Sequence, residues 1–412
     1  MKSRLWTRNF IVTTTANFLI YLVYYLLFVI TANHAMNVLH ASASEAGLAS
    51  GLFILGGLAA RLVSGRIIHS AGPRKILLTG LLIYLLTSLL YFTASTISIL
   101  LIVRFLHGYG FGTSATATAT IVAEALPEER KGEGIAYYSL SMTLASALGP
   151  LAGVLLNQHS SFNVILMCST GLTVICLFVS IFVKLPGVSA GSHSAGSHSA
   201  EGLNAEGPAA RVPAARKPSI HDFLEKSAVP ISIVTFVIIF TYTSILAFMA
   251  KFAESTGIGS MISASSIFFL VYSLFVLMSR PITGRLFDKY GENSLIYPSI
   301  VVFAVGLAML GFASNGFVML CSAALVGLGY GTFFSSANAV AIKASPSGRV
   351  HLATTTYFSF VDLGGGVGPF VLGVIITATG FRELYFVMGG VTLCCLALYY
   401  FLHGRSAARA KL

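Results

Sequence analysis

Runs of about 20 mostly apolar residues, the length that crosses a bilayer as a helix, follow one another along almost the whole chain. Twelve such runs can be counted. They lie roughly at 10–32, 45–66, 75–95, 97–123, 133–156, 162–184, 229–253, 262–285, 294–314, 317–342, 350–378 and 382–403. The first run exceeds the ~7–15 residues of a signal-peptide core, so we expect it to be retained as helix 1. The sequence therefore predicts an all-α integral membrane protein with 12 transmembrane helices.

The composition supports this class and excludes others. Charged residues make up only 9% of the 412 residues and hydrophobic residues 56%, whereas a soluble domain has about 25% charged residues. This excludes a soluble enzyme, a disordered protein and a disulfide scaffold. The net charge is +11, but Lys and Arg occur in twos and threes between the apolar runs rather than in one basic stripe. We therefore expect no nucleic-acid partner.

The distribution of Lys and Arg predicts the orientation in the membrane. With a cytoplasmic N-terminus, all but three of the 25 Lys and Arg residues fall on the cytoplasmic side, Arg61 being counted there as a residue at a helix end. The exceptions are Arg104 in helix 4, Lys251 at the outer end of helix 7 and Arg382 in the last outer loop. Because cytoplasmic loops carry an excess of Lys and Arg, both termini are expected in the cytoplasm.

One long polar segment, 185–228, divides the chain into an N-terminal six-helix bundle (1–184) and a C-terminal one (229–412). The segment contains two copies of Ala-Gly-Ser-His-Ser and continues with Ala, Pro and Arg. This composition is typical of a flexible linker. His193 and His198 could bind a metal ion, but a Gly/Ser coil does not preorganise ligands. We expect a linker, with neither a metal site nor a cofactor.

The two halves share residues at one fixed offset, since Gly327 follows Gly108 by 219 positions. The same offset joins Arg61 to Arg280, Gly65 to Gly284, Gly72 to Gly291, Gly110 to Gly329, Gly112 to Gly331 and Gly149-Pro150 to Gly368-Pro369. Because the interval contains six spans, both copies have the same orientation. This predicts a parallel repeat, the arrangement of transporters that rock two bundles about a central site.

The loops after helices 2 and 8 repeat one glycine-flanked pattern. Its members are Gly65, His69, Gly72 and Arg74 in the first loop and Gly284, Arg285, Asp288 and Gly291 in the second. Glycine allows a tight turn and close helix approach, and Asp288 can pair with Arg or cap a helix. A neutral His69 cannot supply the counter-charge that Asp288 supplies. We expect both loops to act as gates; the alternative is a pair of short positive-inside turns.

Helix 4 carries a polar stripe at steps of three or four residues: Arg104, His107, Phe111, Ser114 and Thr118. An intramembrane Arg is costly and needs a partner, so we expect this face to line a cavity and Arg104 to take part in proton movement. The alternative is an Arg104 side chain that extends outward to the membrane surface.

Helix 5 contains Gly149, Pro150 and Gly153, and helix 11 repeats Gly368 and Pro369. Proline bends a helix and small residues permit close contact. We expect these residues to form hinges, with helix 5 packed closely against the opposite bundle. A generic kinked helix is the alternative.

Asp362 is the one acidic residue near the middle of a predicted span, and it shares a helical face with Thr355 and Ser359. A carboxyl group in such a place can carry a proton. We therefore assign it to proton coupling, while a permanently hydrogen-bonded structural Asp remains the alternative.

These motifs resemble those of the major facilitator superfamily, and more narrowly its 12-helix drug:proton antiporters. The resemblance covers the chain except the linker, with His69 departing from the acid usual in the first loop. It implies a major facilitator fold with a central cavity between helices 1, 4, 7 and 10. The residues that this places in the cavity, besides the helix 4 stripe, include Asn17, Tyr21, Tyr24, Tyr25, Tyr242, Thr243, Tyr330, Phe333, Phe334 and Asn338. An aromatic lining suits an amphipathic solute, whether cationic, anionic or zwitterionic.

The predicted function is proton-coupled efflux of a small organic molecule by alternating access, carried out by a monomer in the inner (plasma) membrane. Its partners are the substrate, protons and the lipid bilayer. The resemblance links the Gly-Pro motif of helix 5 to exporters. Uptake of a nutrient by the same fold is the first alternative, and a membrane receptor or enzyme is the second. The sequence shows neither a convergent His/Asp/Glu constellation nor a P-loop, so catalysis and ATP-driven pumping are not expected.

Overall fold

A computed structural model describes residues 5–127, 130–183, 225–258, 264–346 and 349–405 of the chain. Within these ranges it contains long α-helices joined by short turns. They are α1 (Arg8–Asn37), α2 (Ala43–Ala71), α3 (Pro73–Leu90), α4 (Ile97–Ala125), α5 (Lys131–His159), α6 (Phe162–Ile181), α7 (Val229–Ser255), α8 (Ala264–Tyr290), α9 (Asn293–Gly311), α10 (Gly316–Lys343), α11 (Val350–Thr379) and α12 (Phe381–Tyr399). Most of the expected linker, with His193 and His198, lies outside the described residues.

The predicted fold class is confirmed. By length and composition, 11 of the described helices are able to cross a membrane. The twelfth, α8, is 27 residues long, and its apolar part among the described residues is Ile267–Ser279.

Glycines set the ends of α2 and α8. Gly72 has a φ of 86° and Gly291 a φ of 80°, a backbone conformation that other residues rarely adopt. Pro73 then begins α3 directly. Helix α2 therefore runs to Ala71 instead of ending near residue 66, and Arg61 lies well inside it.

The two halves pack in the same way, residue for residue. Gly108 of α4 approaches the carbonyl of Phe53 in α2, and Gly327 of α10 approaches the carbonyl of Tyr272 in α8. Both members of the second contact follow those of the first by 219 positions. A Cβ atom at either glycine would collide with that carbonyl, so the repeated glycines permit one helix contact in each bundle.

The same offset relates a second pair of helix contacts in the two halves. Gly110 of α4 packs against Tyr84 in α3, and Gly329 of α10 packs against Phe303 in α9. These equivalent contacts make each half a six-helix bundle of one design, as the internal repeat predicts.

The two bundles meet along α2 and α11 and along α5 and α8. Gly51 lies against the backbone of Gly366, and Gly47 against the carbonyl of Pro369. Small residues on both helices allow the backbones to approach closely here. This contact brings the middle of α11 to the middle of α2.

Candidate functional site

An ion pair joins the two bundles at mid-helix. Arg61 Nε of α2 lies 3.2 Å from Asp362 Oδ2 of α11, and the two side chains are 29% and 13% exposed. Both atoms are buried, and the contact between them does not have hydrogen-bond geometry. It is therefore an ion pair without a hydrogen bond between these two atoms. Arg61 is therefore an intramembrane residue, and counting it with the cytoplasmic helix ends was wrong. Its position eleven residues before Gly72 was the signal available in the sequence.

The helix contact explains how Asp362 reaches this position. The glycine run that follows it, Gly364 to Gly366, lets α11 lie against both neighbours: Gly364 packs on the carbonyl of Phe236 in α7, and Gly366 packs on Leu55 in α2. Larger residues would push α11 away and separate the ion pair.

Tyrosines surround the pair. On the N-terminal side Tyr24 and Tyr25 of α1 have ring centroids 4.6 Å apart, and Tyr21 lies one turn before them. On the C-terminal side Tyr242 of α7 stacks on Tyr330 of α10 at 3.9 Å. All five rings line one cavity with Arg61 and Asp362. The wall is thus aromatic, with one cation and one anion set into it.

The cavity lies between the bundles and has a volume of about 130 Å³. A second lobe of about 310 Å³ continues past Tyr25, Tyr242 and Tyr330 to Asn338, which brings the space to the lower part of the range of ligand sites. Of the residues predicted to line a cavity, the structure brings these together: Tyr21, Tyr24, Tyr25, Phe111, Tyr242, Thr243, Tyr330, Phe334 and Asn338. It adds Arg61, Met142 and Phe358, which no periodicity in a single helix distinguishes from packing residues.

Arg104 does not line this cavity, contrary to expectation. It is fully buried, with Nε donating to the carbonyl of Ala49 at 2.9 Å and the guanidinium 4.6 Å from the ring of Phe53. Nη1 contacts the hydroxyl of Tyr91 at 3.3 Å. The side chain therefore points into the N-terminal bundle, neither to the cavity nor to the membrane surface.

His107, the next member of the helix 4 stripe, is also enclosed by protein. Its ring stacks on Tyr84 at 4.1 Å, and its nitrogens contact the hydroxyls of Ser88 and Tyr91 at 3.1 and 3.2 Å. These partners belong to α3 and to the turn that follows it, so His107 is a packing residue in this conformation.

A third polar group lies at the other end of the stripe. Asn17 of α1 donates to Ser141 at 3.0 Å and accepts from Thr118 at 3.2 Å and Tyr138 at 2.9 Å. Ser114 bonds to its own helix through Gly110, and Phe333 is fully buried in the other bundle. The expectation that Asn17, Ser114, Thr118 and Phe333 line the cavity was wrong; of the helix 4 stripe, Phe111 faces it.

The Gly-Pro motif of α5 packs inside its own bundle. A Cβ atom on Gly149 would lie 2.5 Å from Cβ of Tyr25 in α1, and one on Gly153 would lie 2.7 Å from the carbonyl of Leu26. The two glycines therefore contact α1 and not the opposite bundle, whereas helix α5 as a whole packs against α8 of the C-terminal bundle, as expected. Pro150 lies within a helix that continues to His159, and Gly368 likewise packs inside its own bundle, on Thr243 and Phe240 of α7.

The gate loops are described in part. Gly72 and Gly291 form the tight turns that the motif predicts, Gly65 has open space around it, and Arg74 donates to the carbonyl of Ile181 in α6 at 3.0 Å. The side chains of His69, Arg285 and Asp288, and the surroundings of Gly284, lie outside the described residues. Their gate role stays a prediction.

Comparison with known proteins assigns the fold to a family. The sequence matches the profile of the Major Facilitator Superfamily over residues 13–297 and 231–411. The chain belongs to the Major Facilitator Superfamily. It is a multi-pass membrane transporter, and the resemblance to drug:proton antiporters stated from the motifs is supported by its relatives.

Among those relatives, the multidrug resistance protein MdtG of Proteus mirabilis is 26% identical over 163 residues. The match covers 39% of this chain and 40% of MdtG, so it spans less than half the length of that relative. An uncharacterised transporter of the same superfamily from Methanocaldococcus jannaschii is 22% identical over 346 residues, covering 83% of this chain and 84% of the relative.

Solved structures of superfamily members share the fold. A bacterial homologue of the human lysosomal transporter Spinster, in an inward-facing and unoccupied conformation, aligns with a TM-score of 0.76 at 12% identity over 97% of both chains. The nucleoside transporter NupG aligns with a TM-score of 0.69 at 12% identity, over 95% of this chain and 99% of NupG. At these identities the likeness concerns the fold.

This superfamily member has a polar contact across the bundles where α1 and α7 end. Lys251 Nζ of α7 donates to Asn37 Oδ1 of α1 at 2.6 Å and lies 3.1 Å from Glu254 Oε1. The contact joins the bundles on the far side of the cavity from the glycine-flanked loops. It holds α1 and α7 together at that end in this conformation.

A cluster of titratable residues lies at the opposite end, within the C-terminal bundle. Glu292, just before α9, contacts His403 Nε2 at 2.9 Å and Lys343 Nζ at 2.8 Å. The hydrogen bond from His403, helped by Lys343, lowers the pKa of Glu292 to about 2 in spite of its burial. The cluster ties the ends of α9, α10 and α12 together, and the sequence analysis missed it because its members are far apart in the chain.

Proposed function

We propose that this transporter exports a small organic molecule in exchange for protons, with Asp362 as the proton-binding group. The observation that carries the proposal is the ion pair of Asp362 with Arg61 at 3.2 Å, which spans the two bundles inside the cavity. A proton on Asp362 removes the negative charge that holds Arg61, so binding of a proton changes the contact between α2 and α11. Proton binding and bundle movement are thereby linked.

The groups that face Asp362 favour this role. Arg61 of α2 is its charged partner, and Tyr21 and Tyr24 of α1, Tyr242 of α7 and Tyr330 of α10 share the cavity wall with it. Tyrosine hydroxyls are poor proton donors near neutral pH, having an unperturbed pKa of about 10. Among the described residues of this wall, Asp362 is therefore the group suited to exchange protons.

Two arguments favour export over uptake in this proposal: the name of a relative and the Gly-Pro motif of α5. MdtG is named as a multidrug resistance protein, and the Gly-Pro motif of α5 resembles that of exporters. We propose that the protein is a monomer in the inner membrane. In the proposed orientation both termini lie in the cytoplasm. The domains are the proposed bundles 1–184 and 229–412, joined by the linker 185–228.

The test is proton flux in proteoliposomes. A substrate found by thermal-shift screening of purified protein is loaded inside, and trapped pyranine reports proton entry under an imposed pH gradient. Substrate should evoke proton flux in the wild type. Asp362→Asn should abolish this flux, because the nearly isosteric amide binds no proton, while Glu124→Gln, an equivalent change at an exposed residue of α4, should leave it intact.

Two outcomes contradict the proposal. Substrate-evoked flux of normal size in Asp362→Asn would remove Asp362 as the proton carrier. Accumulation of substrate in the same direction as the protons would show uptake by symport instead of export.

A further inference from the structure

The cavity combines two opposite charges with an otherwise uncharged wall. Within the described part of the chain, Arg61 and Asp362 are the charged side chains that line the first lobe, and the second lobe is lined by uncharged side chains. Arg61 and Asp362 come from different bundles, and their facing atoms Nε and Oδ2 lie 3.2 Å apart. Because the two side chains are still 29% and 13% exposed, a bound molecule can reach the pair from the cavity.

The charge of a bound molecule decides whether this pair stays compensated. A bound anion would hold Arg61 and leave the carboxylate of Asp362 alone in the cavity wall. A bound cation would hold Asp362 and leave the guanidinium alone. Leaving one partner of a buried pair uncompensated is strongly unfavourable. A molecule that carries both charges pairs with each residue and avoids either penalty.

We propose that the cavity binds an amphoteric organic molecule, whose carboxylate pairs with Arg61 and whose protonated amine pairs with Asp362. The planar guanidinium of Arg61 matches the geometry of a carboxylate. Its 29% exposure, against 13% for Asp362, makes it the partner that the incoming molecule meets first. This substrate class rests on the proposed function, because it concerns the substrate that the same site would transport.

The aromatic walls define the body of that molecule. Tyr24 and Tyr25 of the N-terminal bundle and Tyr242 and Tyr330 of the C-terminal bundle line the cavity with the ion pair, and the latter two are stacked at 3.9 Å. Ring faces bind flat aromatic groups and also attract an ammonium group. The expected ligand is therefore an aromatic or apolar body with an amino-acid-like head group.

This class is consistent with exchange for protons. A proton and the amine of the ligand compete for the same carboxylate of Asp362, so each is bound when the other is absent. Competition for one site is the simplest basis for antiport.

The test uses matched triplets of probes that share one aromatic body: tryptophan (zwitterion), N-acetyltryptophan (anion) and tryptamine (cation), together with phenylalanine, N-acetylphenylalanine and phenethylamine. Binding to the purified full-length protein is measured at neutral pH by thermal shift and by titration calorimetry. The zwitterion of each triplet should bind at least about tenfold more tightly than its anion and cation. A tighter anion or cation, equal affinities, or no binding by any triplet at millimolar concentration overturns the proposal.

Two variants check that the ion pair is responsible. Arg61→Gln should reduce the factor by which the zwitterion binds more tightly than the cation. Asp362→Asn should reduce the factor by which it binds more tightly than the anion. The double variant, which leaves no unpaired charge and so guards against misfolding, should bind the three forms with similar affinities. Arg382→Gln, remote from the cavity, should keep the wild-type preference. A preference that survives in the double variant overturns the proposal.

The two proposals fail separately. Binding preference is measured at equilibrium without a pH gradient, so it can be present while substrate evokes no proton flux, in which case proton coupling alone is wrong. Proton flux driven by a purely cationic or anionic substrate would instead leave coupling intact and refute the amphoteric class.

Discussion

Lys251 of α7 and Asn37 of α1 are joined by a hydrogen bond of 2.6 Å between Nζ and Oδ1. The two residues belong to different bundles, and Glu254 contacts both of them, at 3.1 Å from Lys251 and 3.5 Å from Asn37. In an alternating-access transporter the bundles must separate at this end for the cavity to open there. The bond therefore stabilises the conformation that the structure shows.

The first prediction concerns this contact. Lys251→Gln should shift the population towards the conformation open at this end, because an exposed charged contact contributes up to about 1 kcal/mol and 1 kcal/mol is a factor of about five in an equilibrium. A cysteine placed at Met142, in a cysteine-free background, reports cavity access from that side by its labelling rate. The rate should rise several-fold.

Arg382→Gln is the matched control for that experiment. Arg382 lies at the same end but donates to the carbonyls of Gly311 and Ala313 within the C-terminal bundle. Its loss should leave labelling at position 142 unchanged. If the two variants behave alike, the bond between Lys251 and Asn37 does not hold the bundles together.

A second prediction separates the two intramembrane arginines. Arg61→Gln should reduce substrate-evoked proton flux at least about tenfold, equivalent to about 1.4 kcal/mol, because Arg61 pairs with the proposed proton carrier. Arg104→Met should retain flux within about threefold, or about 0.7 kcal/mol, since Arg104 is buried against Ala49 and Phe53 away from the cavity. Flux is normalised to folded protein in the vesicles. The reverse ranking would return Arg104 to the proton path.

Helix packing supplies a third prediction. Gly149→Leu should destabilise the protein by at least about 1–3 kcal/mol, the usual effect of overpacking, because its side chain would meet Tyr25 and Leu22 of α1. Thermal unfolding in detergent measures the effect. Gly171→Leu on α6, where no atom lies within 4 Å of an added Cβ, should unfold near the wild-type temperature. Equal stability of the two variants would contradict the packing of α5 on α1.

The fourth prediction is a pH dependence of stability from Glu292. Its pKa falls from an ordinary 4.5 to about 2 in the folded state, so its contacts stabilise the fold fully above about pH 5. The contribution is lost as the pH falls through 4.5 towards 2, because the unfolded chain then binds the proton more readily. Since the side chain of Lys343 is 65% exposed, we expect only about 1 kcal/mol from the cluster.

The measurement compares unfolding temperatures of the wild type and Glu292→Gln between about pH 3 and pH 7. The variant should be less stable at pH 7, and the difference should shrink as the pH is lowered. Glu124→Gln, which removes an exposed carboxylate, should follow the wild type throughout. A difference that grows in acid would show the opposite linkage.

Much of the fold could be predicted from the sequence because the information acts along the chain. Each apolar run defines its own helix, since a bilayer leaves the backbone no other partner. The offset that relates Gly108 to Gly327 reappears as two equivalent helix contacts, because identical small residues permit identical approaches. Gly72 and Gly291 mark turns through a backbone conformation that glycine alone adopts readily.

The direction of each side chain was decided by tertiary packing. The helix 4 stripe is a true periodicity, yet Arg104 turns to a carbonyl of α2 and His107 to Tyr84 of α3, because polar groups on a membrane helix are satisfied equally by protein or by a cavity. Arg61 and Asp362 lie in separate halves of the chain, and only the close approach of α2 and α11 brings their charges together. The sequence by itself determined the helices, their repeat and their turns, whereas the docking of two bundles decided which charges meet.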